Sequence, residues 1–215
     1  GTISTAIAGA VAMNKNTAGT VTLNSANAFT GLTTVNAGTL LYGINDALST
    51  GGITVAGGTV DIATFTDTVG TVTLTSGTIT GSTGVLTSTA NFALQSGTVS
   101  AILSGSVIGI TKTTAGTVTV TRSNTFDGAS TIASTSKLNI QHANALGTGT
   151  VSVTITSGGV LQLQGGITVA SNISLTLAGS GIATDGALRN ISGNNTWAGT
   201  VTQTAASRFH SDSGT

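Results

Sequence analysis

A short motif, Gly-Thr followed by Val, Leu or Ile, returns through the first half of the chain at an almost constant interval. Its glycines stand 19, 20, 19, 20 and 19 residues apart, at Gly19, Gly38, Gly58, Gly77, Gly97 and Gly116. Helices and hairpins have no period of this length, whereas one turn of a parallel β-solenoid takes about 20 residues as short strands joined by corners. The spacing therefore predicts a coil in which residues one period apart lie over one another.

Residues at equal distances from each of these glycines share their chemical character, as stacking requires. Alternate side chains of a strand point to opposite faces, so aliphatic residues two and four places after Gly point inward and Thr points outward. The predicted outer ladder is Thr20, Thr39, Thr59, Thr78, Thr98 and Thr117. The predicted inner columns are Val21, Leu40, Val60, Ile79, Val99 and Val118, and Leu23, Tyr42, Ile62, Gly81, Ala101 and Val120.

Each turn contains a second strand motif and a weaker third. "GITV" at 52–55, for example, precedes "GTVDI" at 58–62. After residue 116 the strand motifs continue at unequal intervals, which predicts longer corners. We therefore predict an all-β, single-stranded parallel β-helix that runs through residues 1–215 as one continuous segment. It has 19–20 residues per turn in the first half and longer, irregular turns in the second. A regular coil of this length would have about 11 turns and measure about 50 Å.

The composition agrees with a folded β protein and excludes several classes of function. Charged residues make up 6% of the chain, six basic against six acidic, so the electrostatic attraction that nucleic-acid binding needs is missing. Hydrophobic residues make up 39%, more than a disordered chain contains. There is no Cys, which excludes disulfides, and no Pro, which allows unbroken ladders. No apolar run is long enough for a transmembrane helix.

A larger unit is duplicated on top of the turn repeat. Phe29 and Phe126 lie 97 residues apart, as do Lys15 and Lys112. This distance is five turns, and repeat units are predicted at 15–62, at 112–163 and, incomplete, at 185–215. All three contain an Asn–aromatic–Gly frame, formed by Asn27, Phe29 and Gly31, by Asn124, Phe126 and Gly128, and by Asn195, Trp197 and Gly199. We interpret its Asn as a corner residue that tolerates the left-handed region and bonds its own backbone, and its Gly as the start of the next strand.

Two of these segments resemble a known family. "NSANAFTGLTTVNAGTLLYG" at 24–43, followed by "DALSTGGITVAGGTVDI" at 46–62, is similar to the passenger-associated transport repeat of bacterial autotransporters and related giant surface proteins. "GALRNISGNNTWAGTVTQ" at 186–203 also resembles segments of such proteins. The resemblance implies a right-handed β-helix that is exported across the outer membrane, with the signal peptide and translocating barrel elsewhere in a longer polypeptide. The second copy departs from the pattern, because "STIASTSKLNI" at 130–140 lacks a Gly.

Few residues suggest chemistry. Asp46 and Asp67 lie 21 residues apart, about one turn, and glycoside hydrolysis needs two carboxylates within about 5 to 10 Å. Asp61 is at an outward strand position, and no basic cluster accompanies these acids, so we interpret them as solvated. His142 and His210 have no Asp or Cys at metal-ligand spacing, which favours surface histidines. The sequence predicts no catalytic, cofactor-binding or metal site and no cofactor.

Two binding functions are weighed against packing. The aromatic residues of the Asn–aromatic–Gly frame are expected to fill space at the corners, and sugar stacking on an exposed ring, above all Trp197, is the alternative. The Thr ladder suggests ice binding, which needs a second unbroken outer column. That column reads Thr22, Leu41, Asp61, Thr80, Ser100 and Thr119. Leu41 and Asp61 interrupt it, so ice binding is disfavoured.

These patterns favour a non-enzymatic role. We expect a structural or adhesive segment of an exported bacterial surface protein, such as a β-helical stalk, fibre or autotransporter passenger, located outside the cell or on its surface. The alternative is a β-helix that binds or cleaves carbohydrate. Neither "GTIS" at the start nor "SDSGT" at the end has the character of a cap, and uncapped strand edges invite association. We therefore interpret the chain as part of a longer solenoid or of an end-to-end assembly. The expected partners are neighbouring repeat modules or further copies, end to end or laterally, and host or surface glycans.

Overall fold

The chain forms a parallel β-solenoid of about 10 turns, which confirms the predicted fold class. The computed structural model describes residues 1–214, and Thr215, the last residue of the predicted solenoid, lies outside the described residues. Each turn passes through three stacks of strands, and every pairing between described strands is parallel. Turns of about 20 residues suffice for this path because three short strands and three tight corners use that length.

The strands divide among the stacks as follows. The first stack contains Met13–Lys15, Thr33–Val35, Phe92–Leu94, Ile110–Lys112, Ser130–Ile132, Val151–Ile155, Ile173–Gly179 and Val201–Ser207. The second stack contains Thr2–Ile3, Thr20–Leu23, Thr39–Tyr42, Gly116–Val120, Ser136–Ile140, Val160–Gln164, Leu188–Ser192 and Phe209–Ser211. The third, less regular stack contains Ala8–Gly9, Ala28–Phe29, Asp67–Val69, Thr168–Val169 and Thr196–Trp197.

Three long strands bend round corners and so belong to more than one stack. Ile53–Asp61 runs from the first stack to the second, Val72–Ser88 takes part in all three, and Gly97–Ser104 runs from the second to the third. A short 3-10 turn at Ile182–Thr184 lies in the long connection that precedes Leu188–Ser192. The second strand of each turn, which was predicted, and the weaker third are therefore both present.

The predicted inner file exists over the first five turns. Val21 pairs with Leu40, Leu40 with Val60, Val60 with Ile79, and Ile79 with Val99. All are buried except Val21, which is partly buried against the core. The outer Thr ladder is likewise continuous from Thr20 to Thr98, and Leu41 and Asp61 interrupt the second outer column as predicted.

The predicted register is wrong at the next turn. Val99 pairs with Val120 rather than Val118, and Thr98 pairs with Thr119 rather than Thr117. The cause is the corner before this strand. In the first stack Ala93 pairs with Thr111, an interval of only 18 residues. The corner that follows Ile110–Lys112 then contains more residues than the corresponding corners of earlier turns. The strand is therefore displaced by two residues, although its Gly-Thr motif keeps the 19-residue interval.

The second predicted inner column is confirmed up to this shift. Leu23 pairs with Tyr42, and Ile62 and Ala101 are fully buried. Gly81 keeps its place because a side chain would not fit: a Cβ there would lie 2.6 Å from Cγ1 of Ile62. Val120, predicted for this column, belongs to the first.

Longer turns in the second half are also confirmed. Thr131 pairs with Thr154 and Gln162 with Arg189, intervals of 23 and 27 residues. These longer corners explain why the chain completes about 10 turns instead of the predicted 11.

One hydrophobic core runs through these turns, from Ile3 to Trp197. Burying an aliphatic side chain stabilises the fold by about 1.5 to 3 kcal/mol, and the inner columns consist of such side chains. Between the turns, backbone hydrogen bonds such as Thr59 N–H to Gly38 O, at 2.8 Å, complete the ladder.

The corrected register makes a direct prediction. Because the chain has no Cys, paired cysteines can be introduced on a clean background. Directly paired residues on neighbouring strands have Cα atoms about 5 Å apart, within the range of a disulfide. We expect Thr98→Cys/Thr119→Cys to oxidise to an intramolecular disulfide, as measured by thiol titration and intact mass. The matched control, Thr98→Cys/Thr117→Cys, should keep free thiols under the same conditions. Preferential cross-linking of the control would show that the strand keeps the uniform 19-residue register.

Candidate functional site

The three acids considered for catalysis lie in different surroundings. Asp46 is exposed at a corner and adopts a positive φ of 52°. Asp61 is at an outward position, as predicted, and its Oδ1 accepts a hydrogen bond from Ala63 N–H at 2.9 Å. Asp67, in contrast, is only 1% exposed, so the expectation of a solvated Asp67 is wrong. A substrate that reaches Asp46 from solvent has no access to the Asp67 carboxylate.

Asp67 faces the core beside the Tyr42 hydroxyl. Its Oδ2 accepts a hydrogen bond from Leu48 N–H at 2.9 Å, but its Oδ1 and the Tyr42 Oη are both buried without a hydrogen-bond partner. Burial raises the pKa of Asp67 to about 6, outweighing the Leu48 hydrogen bond, which lowers it. The charge of Asp46 adds to the rise. Burial also raises the pKa of Tyr42 well above its ordinary value. The sequence signal was the alternation, because Asp67 shares its strand face with buried Val69.

In the first two copies of the Asn–aromatic–Gly frame, the Asn joins three successive turns. Asn124 accepts a hydrogen bond from Leu103 N–H at 2.8 Å on the preceding turn and donates one to Ala145 O at 2.7 Å on the next. Asn27 does the same with Ile7 N–H, at 2.8 Å, and Ala47 O, at 2.6 Å. None of the frame's three Asn has a positive φ. The predicted left-handed corner is therefore wrong, and the contacts between turns explain the Asn instead.

Asn195 repeats half of this arrangement. It accepts a hydrogen bond from Ile167 N–H at 2.7 Å on the preceding turn. Its amide donates within its own turn, to Ser192 O at 2.9 Å. The local bond that was predicted for the frame's Asn is thus present here, alongside the contact between turns, and Asn27 makes one as well, from its amide to Ser25 O at 3.0 Å. Each such bond contributes about 1 kcal/mol, and a buried carbonyl or N–H left without it costs more.

The aromatic residues of the frame pack, as expected. Phe29 and Phe126 are fully buried, and the ring of Phe126 lies 5.9 Å from that of Phe92 at 47°. Rings in this position cannot stack on a sugar. Trp197 is partly buried against the core, and its Nε1 is buried without a hydrogen-bond partner.

The Gly of the frame is required by close backbone approach. A Cβ on Gly31 would lie 2.2 Å from Val11 O, and one on Gly128 would lie 2.4 Å from Ile108 N. For Gly199 the nearest atom is Ile173 O, at 1.7 Å. All three contacts are with the backbone of the preceding turn. The frame therefore describes one corner design: a clamp between turns, a ring that fills the core, and a residue without a side chain.

Two lysines interrupt an inner column of the first stack that is otherwise aliphatic as far as Leu177. Lys15 pairs with Val35, and its Nζ donates to Ala37 O on the next turn at 3.0 Å and to Thr17 O. Lys112, which is fully buried, pairs with Ile132 and donates to Thr114 O. Burial lowers the pKa of Lys112 to about 8. The two ammonium groups thus bind corner carbonyls, and their 97-residue spacing reflects a duplicated structural contact.

The two histidines make different contacts. His210 Nε2 lies 3.1 Å from Asp212 Oδ1, so this histidine does have an acidic partner, which the sequence did not lead us to expect. Asp212 in turn pairs with Arg189, at 2.8 Å, and Arg189 also pairs with Asp185, at 2.7 Å. The hydrogen bond from Arg189 lowers the pKa of Asp212. This network ties the long connection before Leu188–Ser192 to the last turn.

His142 lines a surface cavity of about 430 Å³, which we call the Arg122 cavity. It is formed by Ile102, Thr121, Arg122, Ser123 and His142, from three successive turns. Beside it, Gln141 donates hydrogen bonds from Nε2 to Asn139 Oδ1, at 2.9 Å, and to Gln164 Oε1, at 3.1 Å. Sequence reasoning missed this cavity, because no local motif brings Arg122 and His142 together.

Residues 1–214 contain no group of three or more His, Asp or Glu side chains arranged to hold a metal ion. They also contain no helix with the length and apolar character needed to cross a membrane.

Comparison with known proteins gives one match. Residues 13–41 match the model of the passenger-associated-transport-repeat family, and this interval contains the first Asn–aromatic–Gly frame. No curated protein and no solved structure matches the chain. Fold and match together define a parallel β-solenoid that carries a passenger-associated transport repeat, as the resemblance of residues 24–62 indicated. They fit a structural segment of an autotransporter-like passenger.

The raised pKa of Asp67 predicts a pH-dependent stability. Folding raises this pKa from 3.8 to about 6, so between these values the folded state binds more protons than the unfolded state. The free energy of unfolding therefore decreases as the pH rises through this window, by up to about 3 kcal/mol. Asp67→Asn keeps the acceptor for Leu48 N–H but cannot ionise. We expect it to stabilise the protein at pH 7.5 and to have little effect at pH 4.5.

Denaturant unfolding of both proteins at the two pH values measures this difference directly. Because every other titrating group is shared, its contribution cancels when the variant is subtracted from the wild type. An equal effect of Asp67→Asn at both pH values would contradict an Asp67 whose pKa is raised by burial.

Proposed function

We propose that the chain is a structural and adhesive segment of an exported bacterial surface protein, a β-helical stalk or passenger of the autotransporter type. The observation that carries this proposal is the passenger-associated-transport-repeat match at residues 13–41, on a solenoid whose single core extends through both halves of the chain. The name of the matched family associates the repeat with transport of a passenger.

The proposed mechanism is mechanical. Backbone ladders connect each turn to the next, and an aliphatic core excludes water along the whole coil. Corner contacts such as the Asn124 clamp add hydrogen bonds from one turn to its neighbours. Such a rod is stiff without disulfides, which suits a chain that has no Cys.

Association with neighbouring repeat modules or further copies, end to end or laterally, is part of this proposal. Its support is the exposure of two large apolar side chains at corners within the chain, Leu32 and Val107. Contact with a neighbouring module would remove both from water.

Carbohydrate binding is the second candidate function. Its support is the Arg122 cavity, whose lining combines a guanidinium, an imidazole and hydroxyl groups. Carbohydrate cleavage has weaker support. It needs a second carboxylate beside Asp46, and the candidate one turn away, Asp67, is buried and out of reach of a substrate.

The proposed surface location is tested by display. The chain, followed by an epitope tag, is placed between a signal peptide and an autotransporter translocating barrel and expressed in a Gram-negative host. We expect antibody to label the tag on intact cells, and added protease to remove the label without lysis. The same fusion without the barrel serves as the control and should stay unlabelled on intact cells. A tag that becomes accessible only after lysis would contradict the proposed role as an exported passenger.

A further inference from the structure

The Arg122 cavity has the size of a small-ligand site. Ile102, the segment Thr121–Ser123 and His142 come from consecutive turns and line an open cavity of about 430 Å³. Ligand pockets commonly measure about 300 to 1,000 Å³. Because Val120 pairs with Ile140, Arg122 and His142 occupy equivalent places on adjacent turns, immediately after the paired strands.

The guanidinium of Arg122 has no partner among the described residues. It is half-buried in the wall of the cavity and makes neither a hydrogen bond nor an ion pair with residues 1–214. Arg189, in contrast, is engaged by two carboxylates. A planar guanidinium with free donors is the protein group best suited to a carboxylate, which it binds with two parallel hydrogen bonds.

His142 supplies a second donor in the same cavity. Its Nδ1 accepts a hydrogen bond from Asn144 N–H at 3.1 Å, which leaves the proton of the neutral ring on Nε2. None of the residues that line the cavity is acidic. The wall therefore offers donors and positive charge, a combination that selects an anion.

The remaining surroundings favour a ligand that also carries hydroxyl groups. Thr121 and Ser123 contribute hydroxyls, and Ile102 contributes an apolar surface that suits the C–H face of a sugar ring. The hydroxyl oxygens of Thr121 and Ser123 also serve as acceptors. Donors, acceptors and an apolar wall within one cavity are typical of sugar recognition.

We propose that the Arg122 cavity binds a uronic acid residue, with the sugar carboxylate on Arg122 and His142 and the hydroxyls toward Thr121 and Ser123. This site adds to the structural role proposed above and does not depend on it, since binding by the isolated chain is independent of export. The ligand is a carboxylate-bearing sugar, whether free or at the end of a polysaccharide.

The test is a titration of the ¹⁵N-labelled chain followed by its amide NMR spectrum. The probes are D-glucuronate, D-galacturonate, neutral D-glucose and acetate. We expect a uronate to shift the amides of residues 121–123 and 142, with an affinity at least about tenfold above that for glucose or acetate. Equal binding of acetate would reduce the site to an anion site and overturn sugar recognition, and equal binding of glucose would overturn the role of the carboxylate.

Matched variants separate the cavity from general charge. Arg122→Gln should weaken uronate binding at least about tenfold. Arg208→Gln, which removes the same charge from an exposed position, should leave it unchanged. Both variants must retain the dispersed amide spectrum of the folded chain. If Arg122→Gln does not fold, the location of the shifted amides in the wild type decides the matter. Unaltered binding by a folded Arg122→Gln, or no uronate-induced shifts near Arg122, would overturn the proposal.

Discussion

The parallel backbone ladder between successive turns is the interaction on which the rest of this structure depends. It places each residue against one about 20 positions away, as when Asn36 N–H donates to Lys15 O at 2.8 Å. Stacking of this kind turns a sequence repeat into a spatial column. Aliphatic residues then form a continuous core, and Thr residues form an outer ladder, without any contact that is special to a single turn. The same ladder makes every corner a neighbour of the corner above and below.

Corners pose the main difficulty for such a coil, because strand pairing ends there and backbone groups need other partners. The chain meets this need with polar side chains that reach between turns. Asn27 and Asn124 each bond the turn before and the turn after, while Lys15 and Lys112 bind corner carbonyls from inside the column. Asp67 occupies an equivalent acceptor position but has no N–H to donate, which leaves a buried oxygen unsatisfied. The family match falls on one of these corners, so the recognisable repeat and the structural clamp coincide at residues 13–41.

The sequence was sufficient for the fold class and for the inner file from Val21 to Val99, because the motif interval and the pairing interval agree over those turns. They separate at Val118, where a longer corner shifts the pairing and the motif cannot record it. The burial of Asp67 could be predicted from the sequence, because Asp67 and Val69 lie on the same face of their strand. The prediction of a solvated Asp67 rested instead on the usual exposure of Asp residues. The Arg122 cavity was out of reach, since it depends on the shapes of three corners at once. The sequence therefore predicts the periodic contacts, whereas departures from the period are found only in the structure.

The most direct test of this account is a measurement of scalar couplings across backbone hydrogen bonds, between amide nitrogen and carbonyl carbon, by NMR on the isotope-labelled chain. The structure predicts couplings from Thr59 N to the Gly38 carbonyl and from Gln141 N to the Val120 carbonyl, whose N···O distances are 2.8 and 2.9 Å. Both connect residues 21 positions apart, in the first and second halves of the chain. Couplings between residues four apart, or reciprocal pairs typical of antiparallel hairpins, would show that the chain does not wind as a stack of parallel turns.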